Sequence, residues 1–240
     1  MVKGETKTMK SISAPSVRHL HRKEDVFTAK GRPGAHSQSS SVPLSFFLRS
    51  VVMLTQNLKE SKKILSEGKV KINGTVRKNS DFQIGLFDVV EIAAIKKKFR
   101  VLFDLKGRLE AKEIDFNVKN FKLSKIVKKR AAKGGKMFVT TNDGFTIESG
   151  KEKLKVGDSV KLSLPELKIE SVYVLGNGST AFVTGGRHVG KVTKIDSITE
   201  GSLQRKKLVA LETGEGKFLT AAENVFVVGK DKSEIEALHK

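Results

Sequence analysis

The side chains able to do chemistry in this sequence are overwhelmingly lysine and arginine, and they come in short groups. The first group is Arg18-His19-Leu20-His21-Arg22 with Arg32 further on; the next are Lys59, Lys62 and Lys63, then Lys69, Lys71, Arg77 and Lys78. Lys128-Lys129-Arg130 follow, and Arg187-His188-Val189-Gly190-Lys191 close the series. The chemistry such groups offer is phosphate binding by charge neutralisation, in which each cation that meets a phosphate displaces condensed counterions. Over 240 residues the balance is 46 Lys and Arg against 26 Asp and Glu, a formal charge of +20 with a pI near 10.0. A field of that sign and extent attracts polyanions whatever their sequence.

Other chemistries are poorly supplied. With no Cys there is neither a disulfide framework nor a thiolate zinc site, and the five His are too scattered to form a ligand cluster. No metal and no cofactor is expected. Carboxylates such as Asp104, Asp143 and Asp158 fall at turns or strand starts, where backbone hydrogen bonding is their usual work. Gly185 to Lys191 is rich in glycine but lacks the Gly-Lys-Ser/Thr ending of a nucleotide-binding loop, so a small-molecule substrate is not expected. No run reaches the roughly 18 apolar residues needed to span a bilayer, and Met1 to Lys10 carries no signal-peptide core. A cytoplasmic protein without membrane contact is the expectation.

The elements that must position these groups follow from periodicity and turn residues. Residues 1–42 show no apolar period and read as a basic arm that becomes ordered only against a nucleic-acid surface. Pro43 can open a helix, and Leu44, Phe47, Leu48, Val51, Val52 and Leu54 follow at helical spacing. A second helix spans about Leu58 to Glu67, with Leu58, Ser61, Ile64 and Leu65 inward, Lys59, Lys62 and Lys63 outward, and Gly68 as its stop. Val70-Lys71-Ile72 alternates as a strand into Asn73-Gly74, a strong hairpin signal. From residue 99 the pattern is strand after strand. Between Phe116 and Asn142 there are eight basic residues and no acidic one, including Lys133 and Lys136 around Gly134-Gly135, which reads as a surface facing RNA. Beyond Leu175, short strands broken by glycines suggest a small barrel, and Asp231 to Lys240 a helical or frayed tail. Three quarters of the 14 Phe are expected in cores.

Two segments carry resemblances. Ile64-Leu65, Gly68, Val70, Ile72-Asn73-Gly74, Val76 and Asp88-Val89-Val90 resemble the alpha-L RNA-binding module. That module grips RNA through its second helix and the adjoining hairpin, which implies roles for Lys59, Lys62, Lys63, Lys69, Lys71, Arg77 and Lys78. Val183-Thr184-Gly185-Gly186-Arg187-His188-Val189-Gly190-Lys191-Val192 looks like a KOW motif, in which Gly190 would let backbone approach RNA while Arg187 and Lys191 contact phosphate. Arm, alpha-L module, β-rich middle and KOW barrel in this order resemble the archaeal and eukaryotic S-four-e family of small-subunit ribosomal proteins. Arg32-Pro33-Gly34 with His36, Gly85-Leu86-Phe87-Asp88-Val89, Phe99-Arg100-Val101-Leu102-Phe103-Asp104, Val156-Gly157-Asp158-Ser159-Val160 and Asn224-Val225-Phe226-Val227-Val228-Gly229 extend the resemblance along the chain. The short C-terminus is similar to archaeal members.

The resemblance implies an α+β, multidomain fold: a basic N-terminal arm (1–42), an alpha-L RNA-binding domain (43–98), a β-rich central domain (99–175), and an SH3-like KOW barrel with C-terminal tail (176–240). It implies a non-catalytic constituent of the small ribosomal subunit, with small-subunit rRNA and neighbouring ribosomal proteins as partners. Arg18, His19, His21, Arg22, Arg32, Lys128, Lys129, Arg130 and His188 join the residues above as expected RNA contacts. Two rivals stand beside it: a KOW-containing transcription factor, and an RNA-modifying enzyme using an alpha-L recognition domain.

Overall fold

The structure is a computed structural model that describes residues 8–116, 120–133, 136–149, 154–202, 205–214, 216–230 and 233–235. Lys3 and Lys7 of the arm, Gly134-Gly135 and most of the expected C-terminal tail lie outside them. The chain divides into two compact units, residues 1–102 with 108–120, and residues 103–107 with 121–240. Both are rich in antiparallel sheet, and the α-helices among the described residues belong to the first, an α+β arrangement.

In the first unit the arm is folded. Strands β1 (Thr8–Lys10) and β2 (Phe27–Ala29) pair antiparallel, with Thr8 opposite Ala29 and Lys10 opposite Phe27. Strand β3 (Val42–Pro43) pairs with β6 (Gln83–Ile84). The arm is fastened further by His36, whose Nε2 lies 2.9 Å from Asp88 Oδ2. The same carboxylate accepts the Gly85 N–H at 2.9 Å and, through Oδ1, the Asn73 amide at 2.7 Å. Ordering of the arm by RNA alone is thereby corrected for residues 8–42: buried intramolecular partners hold it, and these lie too far along the chain for a local pattern to show.

The expected long amphipathic helix after Pro43 is also corrected. One turn of α-helix, α1 (Leu44–Phe46), passes into a π-helical turn over Phe47–Val51, where the Val52 N–H reaches the Phe47 carbonyl at 2.9 Å. Leu44, Phe46, Phe47 and Leu48 are all buried. Near-consecutive apolar residues cannot share one face of a regular helix, so the segment is enclosed on every side and its winding adapts. The second helix, α2 (Leu58–Ser66), is as expected in extent. Ser61 and Leu65 are buried, whereas Leu58 at the helix start is exposed. Glu60 accepts the Asn57 N–H at 3.4 Å, the reciprocal half of a capping box.

Strands β4 (Val70–Ile72) and β5 (Thr75–Val76) form the hairpin, with Asn73 and Gly74 at φ of 51° and 79°. A five-stranded sheet follows in the order β5-β4-β7-β8-β9, with β7 spanning Val89–Ile92, β8 Lys97–Phe103 and β9 Leu109–Ile114. Because β8 pairs with β7 from Lys97 to Arg100, this sheet continues through residue 98.

The second unit holds two sheets. The first runs β12-β11-β10-β13-β14, from β10 (Phe121–Ala131), β11 (Met137–Thr141), β12 (Thr146–Ser149), β13 (Ser159–Ser163) and β14 (Ile169–Tyr173). A register shift between Ile126 and Lys128 marks where β11 pairs beyond the stretch of β10 held by β13. Its core is Ile126, Val139, Leu154, Val160 and Leu162. The second runs β18-β17-β16-β15-β19, from β15 (Thr180–Val183), β16 (Val192–Thr199), β17 (Leu208–Thr213), β18 (Gly216–Ala221) and β19 (Val225–Gly229).

Fewer phenylalanines are buried than expected. Phe46, Phe47, Phe87, Phe99, Phe182 and Phe226 are core residues. Others lie nearer the surface beneath cations: Phe82 under Arg77 at 4.7 Å, Phe116 under Lys98 at 4.8 Å, Phe121 under Lys161 at 4.5 Å. Thin β-layers leave one ring face near water, and a cation covers it favourably.

Candidate nucleic-acid interface

On α2 the outward stripe is as the spacing predicts. Lys59, Lys62 and Lys63 are exposed opposite buried Ser61 and Leu65. The following hairpin adds Lys69, Lys71 and Lys78, also exposed. Lys71 projects from the solvent side of β4 because its neighbours Val70 and Ile72 occupy the core side. Arg77 differs: it is half-buried over the Phe82 ring.

The arm residues separate into two kinds. His19, His21 and Arg22 are exposed; the two rings lie 5.9 Å apart, and Arg22 donates to the Ile12 carbonyl at 3.0 Å. Arg18 is buried and donates to the Ala29 carbonyl at 2.7 Å, bridging to β2. Burial lowers its guanidinium to about 10, so it remains cationic at neutral pH. In this conformation its work is to hold the arm hairpin. Arg32 is exposed, with Nε 3.7 Å from Asp81 Oδ2, and both residues line two cavities of about 700 and 570 Å³.

The basic block of the middle sheet is divided by the fold. Lys128, Lys129 and Arg130 are exposed on the outer half of β10, with Lys129 donating to the Leu154 carbonyl at 3.0 Å. Lys122 is buried, 3.0 Å from Asp143. Lys125 Nζ donates to the carbonyls of Ala222, Glu223 and Val225 at 2.7, 3.1 and 2.8 Å, and burial lowers it to about 8. Lys136 pairs with Glu148 at 3.2 Å. The expectation of one continuous RNA-facing block is therefore corrected. Carboxylates from elsewhere in the chain pair with Lys122 and Lys136, and backbone carbonyls engage Lys125.

In the loop between β15 and β16 Arg187 is exposed, and His188 stacks on Phe218 with centroids 3.9 Å apart at 25°. Lys191 is half-buried. Gly190 has φ of +82°, and a Cβ there would stand 2.7 Å from the Asp104 carbonyl oxygen. The close approach this glycine permits is thus to the turn at residues 104–107 of the same unit. No group of three or more His, Cys, Asp or Glu placed to hold a metal occurs among the described residues. No described helix is long and apolar enough to cross a membrane.

Sequence reasoning missed Arg49, a lone cation in an apolar run, which the π-helical turn brings to the same cavity as Arg32 and Lys62. It also missed Lys125 as a tether. For Arg49 the signal was a charge out of keeping with its apolar neighbours; Lys125, one cation in a basic run, carried none.

Comparison with known proteins sets first the class, that of ribosomal proteins. The structure is similar to the crystal structure of the 30S ribosomal protein S4e from Thermoplasma acidophilum, with a TM-score of 0.67 and 30% identity, covering 81% of this chain and 97% of that one. The model of Ribosomal family S4e matches residues 95–169, and that of the RS4NT (NUC023) domain matches residues 3–39. The small ribosomal subunit protein eS4 of Methanosphaera stadtmanae is 41% identical over 97% of this chain and 96% of its own length. That of Methanothermobacter thermautotrophicus is 40% identical over 95% of each. The chain belongs to Ribosomal family S4e.

Proposed function

We propose that this chain is a structural, non-catalytic constituent of the small ribosomal subunit in the cytoplasm, binding and stabilising small-subunit rRNA beside neighbouring ribosomal proteins. Family membership over nearly the whole chain carries the reading, since relatives of matching length are named small ribosomal subunit protein eS4. The exposed stripe of Lys59, Lys62 and Lys63 supports it physically.

In this reading residues 43–98 are an alpha-L RNA-binding domain, supported by α2 and the Asn73-Gly74 hairpin. Residues 176–240 are a KOW-type SH3-like barrel, supported by the five-stranded sheet and the positive φ of Gly190. The arm 1–42 and the central domain 99–175 complete the set. The exposed cations of α2, its hairpin, outer β10 and Arg187 are the phosphate contacts. Arg18 supports the arm from inside, and Gly190 shapes the loop that carries Arg187 and Lys191. Shape and backbone dominate recognition, because duplex RNA offers phosphates and 2′-hydroxyls more readily than base edges.

Residue-resolved crosslinking of the protein to rRNA inside the native particle tests this. Crosslinks are expected at Arg22, Lys59 to Lys78 and Arg187. Their absence from α2 would overturn the assigned face, and sedimentation of the cellular protein with RNA polymerase in high-salt gradients would replace the ribosomal reading altogether.

A further inference from the structure

Strand β10 carries two kinds of cation. Lys128, Lys129 and Arg130 are exposed on its outer half, whereas Lys125 is half-buried and reaches the turn at residues 222–225 of the other sheet in the second unit. Its backbone is fixed at the base: the Lys125 N–H donates to the Asn142 side-chain oxygen at 2.9 Å, and the Asn142 N–H donates to the Lys125 carbonyl at 2.8 Å. Its tip is fixed as firmly. An ammonium has three donors, and the Ala222, Glu223 and Val225 carbonyls accept at 2.7, 3.1 and 2.8 Å. The remaining carbonyl of that turn, Asn224, is engaged from the other side, where it accepts the Thr184 N–H at 2.8 Å and the Thr184 hydroxyl at 3.0 Å. Gly185 follows, so close to the Asn224 side chain that a Cβ would stand 2.9 Å from its Oδ1. The exposed Arg187 comes just after it. A continuous series of bonds therefore runs from the strand of Lys128, Lys129 and Arg130, through the Lys125 ammonium and the turn at 222–225, to the loop of Arg187. Such a series keeps two groups of cations at a constant separation, and a second group so held can bind an RNA already seated on the first with little further loss of freedom.

We propose that Lys125 is a positioning residue for RNA binding: it meets no phosphate itself, and by fixing the turn at 222–225 it holds the Arg187 loop in register with Lys128, Lys129 and Arg130, so that one folded RNA engages both. The inference rests on the rRNA-binding reading above and adds the means by which two of its contact groups are kept in place. It also gives the two sheets of this unit a joint role, since they meet RNA as one body.

The test uses the full chain and a small-subunit rRNA transcript at neutral pH. Because the sequence has no Cys, two introduced cysteines report a single distance. Spin labels at Ala132→Cys and Arg187→Cys should give a narrow distance distribution that Lys125→Met broadens. In transcript binding, Lys125→Met should cost about tenfold in affinity when Arg187 is present and less than about twofold in an Arg187→Gln background, where the contact to be placed is gone. Loss by the same factor in both backgrounds would mark general destabilisation or a phosphate contact of Lys125 itself and overturn the proposal, as would an unchanged distance distribution. If Lys125→Met does not melt cooperatively, Thr184→Val decides. It removes one of the two bonds to the Asn224 carbonyl and should cost about threefold in affinity only when Arg187 is present; an equal cost in both backgrounds, or none, overturns the proposal. Failure of the wild-type chain to bind the transcript at all would remove the underlying reading instead, and is distinguishable because no variant is needed to see it.

Discussion

Two side chains show how a residue's surroundings decide its role. Lys125 belongs by sequence to a basic run, yet its ammonium is surrounded by three carbonyls at the Ala222–Val225 turn. Burial lowers it to about 8 from an ordinary 10.5. Between those two pH values the unfolded chain still holds the proton that the folded chain has released, so this group's contribution to stability rises with pH across that window. The urea midpoint of the wild type relative to Lys125→Met should shift in the wild type's favour from pH 8 to pH 10. A lysine Cε resonance titrating near 8 should disappear in the variant. Gly190 makes the same point about backbone. Gly144 has a similar φ of +78° with open space around it, whereas a Cβ at Gly190 meets the Asp104 carbonyl. Gly144→Ala should cost about 1 kcal/mol and Gly190→Ala about 3 kcal/mol in denaturant unfolding, the difference being steric overlap with backbone that cannot rotate away.

Among the elements, α2 and the hairpin after it were legible because local rules govern them. Ser61 and Leu65 buried against outward lysines, Gly68 as the stop, and Asn73-Gly74 at positive φ all act within a few residues. The Pro43 segment was misread because burial on all sides erases the periodicity on which the reading depends. The arm was misread because its partners are remote. His36 meets Asp88 across 52 positions, and its ring fills the space above Gly85, where a Cβ would stand 2.3 Å from Nδ1. Asp88 is thus the junction of arm, hairpin and β7. Asp88→Ala should cost about 3 kcal/mol, since buried donors on Asn73 and Gly85 lose their acceptor. Limited trypsin digestion should then cut the arm at Arg22 and Lys30 faster than in the wild type.

At the scale of the molecule, +20 is spent neither evenly nor wholly on a partner. Some of the cations are internal, Lys122 cancelled by Asp143 and Lys125 held as a tether, and others face outward in clusters on both units. Removing Lys59, Lys62 and Lys63 together should lower the salt slope of rRNA binding by about three, and removing Lys128, Lys129 and Arg130 should act similarly, as measured by filter binding over a salt series. Two clusters on one chain also raise each other's effective concentration, so their combined loss should weaken binding far more than either alone. Composition and spacing determined the polyanion partner, the β-rich architecture with its few helices, and the family, because charge density, turn residues and short motifs are written within a few residues of one another. The tertiary structure alone decided that Arg18, Lys122 and Lys125 are taken out of solvent, that the arm is fastened through His36, and that Arg32, Arg49 and Lys62 share a cavity. Those outcomes depend on pairings across tens of residues, and no local pattern encodes which distant carboxylate or carbonyl will meet a given charge.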